Sequence, residues 1–113
     1  LAPRPYLDAK STLRWTEGSD AHAVLRLELV NRGMSDAKAA SVEAWYEDPL
    51  AGETAHELRT LSPVPQGGAV VVCEVRLPPP PGPHARFAFR LRAEEFESSI
   101  WRSEENTPPD PSR

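Results

Sequence analysis

Cysteine is almost absent from this sequence, which contains only Cys73 among its 113 residues. This scarcity excludes an internal disulfide and a cysteine-rich metal site. Because valines surround Cys73 on both sides, we expect it to be a small buried residue of a strand rather than a reactive thiol.

Long apolar runs and an excess of basic charge are also missing. No stretch approaches the roughly 20 apolar residues that cross a bilayer, and no signal-peptide pattern occurs. The 17 Asp and Glu residues outnumber the 13 Lys and Arg residues, for a net charge of −4. We therefore expect neither nucleic acid as a partner nor insertion into a membrane. Because the chain begins at Leu1 rather than Met, we expect a processed product or a piece of a longer polypeptide.

The sequence also lacks the motifs of catalysis. No HExxH, CxxC, phosphate-binding glycine loop or GxSxG occurs. The three histidines, His22, His56 and His84, are scattered singly in or beside predicted turns, where a histidine is usually a solvated side chain. The sequence thus predicts no catalytic residues, no metal site and no cofactor, and a protein that is not an enzyme.

Acidic residues cluster at Glu94, Glu95 and Glu97, and again at Glu104 and Glu105. A calcium site needs six to eight oxygen ligands that converge on one point. No spacing here resembles a calcium-binding loop, so solvated charges are the expected interpretation.

What the sequence does contain is a clear strand pattern at residues 24–30. Leu25, Leu27 and Leu29 alternate with the charged Arg26 and Glu28, which is the period of a strand with one buried face and one wet face. The Asn-Arg-Gly sequence that follows at 31–33 predicts a turn, because Asn and Gly tolerate positive φ.

The same alternation recurs along the chain and predicts an all-β fold, an immunoglobulin-like or fibronectin-III-like antiparallel β-sandwich of about seven strands. Most of the 13 prolines lie between the predicted strands, as in the loop at 78–83. The organisation predicts a linker at 1–5, one domain at 6–102 and a flexible polar tail at 103–113. The predicted strands cover residues 6–15, 24–30, 39–47, 54–61, 69–77, 85–93 and 96–102, with a turn at 17–20.

In an immunoglobulin-type sandwich the second predicted strand lies beside the fifth, and the third and seventh flank the sixth. Arg26 and Glu28 would then face Glu74 and Arg76 with opposite charge. In the other sheet the acidic residues Glu43, Glu47 and Glu97 would flank the arginines Arg86, Arg90 and Arg92. This consistency supports the topology, and it explains the arginine row as exposed ion pairs rather than an anion-binding groove.

Two tryptophans form the candidate binding site. Trp45 and Trp101 are predicted on the outer face, with the small Ala88 between them and with Arg86 and Arg90 beside them. Such a platform could stack on a sugar ring, pack on another domain or grip a peptide. The alternative is that the two rings cover the sheet and stack on Arg86 or Arg90 by cation–π contact.

Five short segments follow one another along the chain: the apolar strand ending in Asn-x-Gly at 25–33, the strand at 42–46, the loop and valine-rich strand at 61–75, the Pro-Gly turn and strand at 81–91, and the acidic ending at 104–106. In this order they resemble the cell-adhesion-related domain found in bacteria (CARDB), an immunoglobulin-like sandwich of bacterial surface and secreted proteins. The resemblance implies a non-catalytic accessory module, with no family catalytic residues to carry over.

We therefore expect a binding or spacer module of a larger exported bacterial protein, located outside the cell or at its surface. Its partners would be a protein, a carbohydrate or neighbouring domains of the same chain. The alternative is a structural or docking domain of an intracellular assembly, which keeps a cytoplasmic location open.

Overall fold

The computed structural model describes residues 3–16 and 21–105, and within these ranges the regular elements are strands. No helix in this part of the chain is long and apolar enough to span a membrane. The strands are β1 (Leu7–Thr16), β2 (His22–Asn31), β3 (Ser41–Asp48), β4 (Gly52–Glu53), β5 (Glu57–Thr60), β6 (Val71–Leu77), β7 (Arg86–Ala93), β8 (Phe96–Glu97) and β9 (Trp101–Glu105).

The strands form two antiparallel sheets that pack as a sandwich, as the alternation predicted. The first sheet has the order β1-β2-β6. In the second sheet β3 and β7 are neighbours, β4 and β5 pair with the outer edge of β3, and β8 and β9 pair with β7. Because β5 pairs with β3, it extends the second sheet rather than the first.

The core lies between the inner faces of the two sheets. Leu25, Leu27 and Leu29 of β2 are fully buried there, and they meet the alternating Phe87, Phe89 and Leu91 of β7 in one cluster. The buried face predicted for β2 is thus confirmed. Cys73 is half-buried, and this desolvation raises the pKa of its thiol.

The charge pairing predicted for the first sheet is only partly formed. Arg26 lies opposite Glu74 as expected, but Glu28 lies opposite Val72 and Arg76 lies opposite Val24. The side chain of Arg26 instead contacts Glu28 on its own strand at 3.4 Å.

The turn after β2 is built around the buried amide of Asn31. Its Oδ1 accepts hydrogen bonds from the backbone N–H groups of Tyr6 and Gly33, and its Nδ2 donates to the carbonyls of Ser35 and Val64. Neither Asn31 nor Gly33 has positive φ. The prediction that the motif occurs because Asn and Gly tolerate positive φ is therefore wrong. Gly33 is needed for space, since a Cβ there would lie 2.4 Å from the carbonyl oxygen of Arg4.

The last predicted strand is interrupted, and the interruption reverses the direction of Trp101. In β8, Phe96 pairs with Ala93, whereas in β9 Trp101 pairs with Phe89. The register therefore slips by one residue between the two segments, and a slip of one residue turns every later side chain to the opposite face. Trp101 consequently lies on the inner face, and the prediction that it points outward is wrong.

The chain enters and leaves the sandwich at opposite ends. The Tyr6 pole, where β1 begins and β7 ends, carries the contact between Tyr6 and Phe96. The Arg86 pole, where β7 begins, is where β9 ends, since Glu105 pairs with Arg86. From Arg4 onward the backbone is bonded to the loop after β2. The predicted turn at 17–20 and the end of the predicted tail, 106–113, lie outside the described residues.

Candidate functional site

Trp45 lies on the outer face of β3, yet its side chain is only 1% exposed. The imidazole ring of His56 stacks on the indole, with ring centroids 4.1 Å apart and planes 11° from parallel. The guanidinium carbon of Arg90 lies 5.8 Å from the indole centroid, within the range of a cation–π contact. The small Ala88, directly across from Trp45 on β7, leaves room for the ring to lie flat on the sheet.

His56 is held between two carboxylates. Its Nδ1 lies 2.8 Å from Oε2 of Glu43, and its Nε2 lies 2.9 Å from Oε1 of Glu53. Two hydrogen bonds to carboxylates require both ring nitrogens to carry protons, so the pairing is complete only for the imidazolium. The expectation of a simply solvated side chain is wrong for His56. Only the register of the β3–β5 hairpin, which aligns Ala44 with Glu57 and so brings His56 beside Trp45, would have indicated the contact.

Ion pairs continue from His56 across the sheet through Glu43. Oε1 of Glu43 accepts a 2.6 Å hydrogen bond from Arg90, and Glu97 accepts one of 2.7 Å from Arg92. The hydrogen bond from His56 and then that from Arg90 lower the pKa of Glu43, and the bond with Glu43 raises the pKa of His56. The acidic flanks predicted for the arginine row are thus present in this sheet.

A second group of contacts lies on the same outer face of the sheet, nearer the Arg86 pole. Arg102 donates a 2.6 Å hydrogen bond to Glu47, and the indole N–H of Trp45 donates to the same carboxylate at 3.3 Å. These bonds, with a smaller contribution from the charge of Arg86, lower the pKa of Glu47. We call this surface the charged face; its members are Glu43, Trp45, Glu47, Glu53, His56, Arg86, Arg90, Arg92, Glu97 and Arg102.

The structure brings Trp45, Arg86 and Arg90 together on the charged face, but it separates them from Trp101. The ring of Trp101 packs against the inward-facing Phe89, with centroids 4.9 Å apart, and borders the core. Since Trp45 is covered and Trp101 points inward, the predicted exposed pair of indoles is not formed. A sugar ring has no free indole face of Trp45 to stack on.

A different surface, at the Tyr6 pole, is apolar and open. Tyr6 is 60% exposed and Met34 is 74% exposed, and the Tyr6 ring meets Phe96 edge to face at a centroid distance of 5.7 Å. These side chains and Pro3 line a groove of about 790 Å³, which also touches Arg4, Glu95 and Glu97. An adjoining depression of about 610 Å³ shares Pro3, Met34 and Glu95 and adds Asp36, Lys38 and Glu94. We call the two together the Tyr6 groove. No pattern in the sequence predicted this groove.

In residues 3–16 and 21–105, no three His, Cys, Asp or Glu side chains are placed so that they could share a metal ion. Comparison of the chain with protein-family models and with curated proteins found no match.

Proposed function

We propose that this chain is a non-catalytic β-sandwich module of a larger exported bacterial protein, which spaces its neighbours and makes protein contacts. The observation that carries the proposal is that the first strand begins and the last strand ends at opposite poles of the sandwich. Tyr6 precedes β1 at one pole, and Glu105 ends β9 at the other. Modules with this arrangement can be joined end to end, so that each one adds its own length to the parent protein.

Two further features support this role. The charged face pairs its acids and bases with one another, which leaves Glu43 and His56 engaged in structure rather than poised for chemistry. The Asn-x-Gly motif, which resembles CARDB, is accounted for by the hydrogen bonds of Asn31 and the close approach at Gly33. Membership of an extracellular adhesion family is part of the proposal and rests on this resemblance.

The proposal is tested by placing a folded reporter domain at each end of the full chain and measuring their separation by energy transfer and small-angle scattering. A folded spacer should give one narrow distribution of distances, which broadens only when urea unfolds the module. A flexible Gly/Ser segment of equal length between the same reporters should give a broad distribution at every urea concentration. Reporters that lie side by side, or that unfold the module, would contradict the spacer role.

A further inference from the structure

The loop between β6 and β7 is a stiff proline-rich segment at the Arg86 pole. We call residues 78–83 the proline loop; they read Pro-Pro-Pro-Pro-Gly-Pro. Each proline ring fixes φ, and a residue that precedes a proline is driven to extended ψ, so Pro78, Pro79 and Pro80 favour polyproline II backbone.

The proline loop is hydrogen-bonded to the fold at its start, closed by a hydrogen bond at its end, and exposed to solvent between them. The hydroxyl of the buried Tyr46 donates a 2.7 Å hydrogen bond to the Pro78 carbonyl, and burial raises the pKa of Tyr46 to about 12, so the hydroxyl keeps its proton. At the far end the N–H of Ala85 bonds to the carbonyl of Gly82 at 3.3 Å. The rings of Pro79 and Pro81 remain exposed. A segment ordered before binding loses little conformational entropy when it binds.

The Tyr6 groove has the chemistry that recognises such a segment. Polyproline II helices bind to grooves lined with aromatic rings, on which the proline rings stack. Tyr6 and Phe96 supply an edge-to-face aromatic pair, and Met34 supplies an adaptable apolar wall.

Complementary charge also favours binding of the proline loop to the Tyr6 groove. The Tyr6 groove is lined by four acidic residues and two basic residues, which gives it a net negative charge. They are Asp36, Glu94, Glu95 and Glu97, and Arg4 and Lys38. The proline loop is flanked in sequence by Arg76 and Arg86. Asp48 is an anion near this loop, and its charge offsets one of these two positive charges.

We propose that copies of this module associate head to tail, with the proline loop of one copy seated in the Tyr6 groove of the next. The inference deepens the proposed spacer role and rests on it. Because the loop and the groove lie at opposite poles, each copy keeps one free loop and one free groove, and the contact propagates into a row rather than closing into a symmetric pair. One loop in one groove is a small interface, so the contact is weak between free copies and becomes effective when copies are tethered close together.

The test uses the full chain and complementary variants in sedimentation velocity and concentration-dependent NMR. The average mass of the wild type should rise with concentration up to about 1 mM and pass beyond the mass of a dimer, as expected for weak propagating contacts. Tyr6→Ser removes an aromatic ring from the groove, and Pro79→Ser/Pro81→Ser removes the two exposed rings from the loop. Each variant alone should remain monomeric. A mixture of the two should form a 1:1 pair and nothing larger, because only one loop and one groove are then intact.

Leu58→Ser is the matched control, since it removes a comparably exposed apolar side chain, 69% exposed, from β5, outside both surfaces. It should associate as the wild type does. A wild type that stays monomeric, a mixture that does not pair, or a control that loses association as fully as Tyr6→Ser would overturn the inference. The separation of the reporter domains does not depend on this contact, so the spacer role stands or falls by its own measurement.

Discussion

The environment of Trp45 is assembled by residues distant from it in sequence. Alternation along β3 placed the ring on the outer face, and that placement is correct. What alternation could not predict is that His56 and Arg90 shield the ring. The burial of an outward residue depends on the length of a loop and on the register of a neighbouring strand, and neither is encoded in a local pattern.

Trp45→Ala should lower the free energy of unfolding by about 3–5 kcal/mol, as expected when a fully buried large side chain is truncated. The substitution also removes the surface on which His56 stacks and the N–H that Glu47 accepts. Urea unfolding measures the change. Leu58→Ala, at an exposed site, should change stability by less than about 0.5 kcal/mol. A small change in the free energy of unfolding for Trp45→Ala would mean that the ring is not packed into the fold, and Trp45 would again be a candidate binding residue.

His56 should make stability depend on pH with a definite sign. Its pKa is raised above the ordinary 6.5 by Glu43 and Glu53, so its contribution is complete below pH 6.5 and is lost as pH rises through the folded-state pKa. The pKa of Glu43 is lowered from 4.5, so its contribution is complete above pH 4.5 and is lost as pH falls through the lowered value. Both contributions are therefore complete between pH 4.5 and 6.5.

His56→Gln should reduce stability most within that window and flatten the fall in stability above pH 6.5, as measured by urea unfolding at a series of pH values. The groups that face His56 are Glu43, Glu53 and, through Glu43, Arg90. His84→Gln removes a histidine outside this cluster and should keep the wild-type loss above pH 6.5. Parallel pH profiles for the wild type and His56→Gln would refute the assignment.

At the scale of elements, the interruption between β8 and β9 has an identifiable cause. The hydroxyl of Ser98 accepts the hydrogen bond of the buried Leu91 N–H at 2.9 Å, where a backbone carbonyl would serve in a regular ladder. Ser103 does the same for the N–H of Phe87, near a second irregularity between Arg86 and Ala88. A side chain that replaces a backbone acceptor lets the strand slip without leaving a buried donor unsatisfied.

Ser98→Ala should therefore cost about 1–3 kcal/mol, the range for an unsatisfied buried donor. Amide exchange at Leu91 should accelerate in the same variant. Ser98→Thr keeps the hydroxyl and should restore most of the loss, while Ser99→Ala, at an exposed neighbour, should be neutral. Unchanged stability and exchange in Ser98→Ala would show that the slip does not depend on the hydroxyl.

At the scale of the whole molecule, Asn31 joins three parts of the chain. It bonds to Tyr6 before β1, to Gly33 and Ser35 after β2, and to Val64 in the segment that crosses from the second sheet to the first. The amide therefore fixes both the path of the chain at the Tyr6 pole and the connection between the sheets.

Asn31→Ala should destabilise the fold by about 3 kcal/mol, because it leaves buried donors and acceptors unpaired. Amide exchange should accelerate at Tyr6 and Gly33, which donate to Asn31, rather than only near residue 31. Arg32→Ala, which removes an exposed pair with Asp8, should cost less than about 1 kcal/mol. An effect confined to the turn would mean that Asn31 does not link the sheets.

The sequence carried enough information for the architecture but not for the binding surface. Period-2 alternation and turn residues predicted the sandwich, the neighbours of β2 and β7 and the acidic flanks of Arg90 and Arg92, since these follow from local pattern and general topology. The position of Trp101 depended on a slip of one residue. The Tyr6 groove depended on contacts between residues 3–6, the loop after β2 and Phe96, which no local pattern reports.

The positions of β1 and β9 also determine how the sandwich responds to force. Tension applied along the strands would pull β1 from the Tyr6 pole and β9 from the Arg86 pole. The ten residue pairs that join β1 to β2 would then be loaded in shear, so that their hydrogen bonds must break together rather than peel apart in turn. Since β1 and β9 belong to different sheets, the pull also crosses the apolar core. Force applied in this direction would therefore have to break the β1–β2 ladder and the packing of the core together.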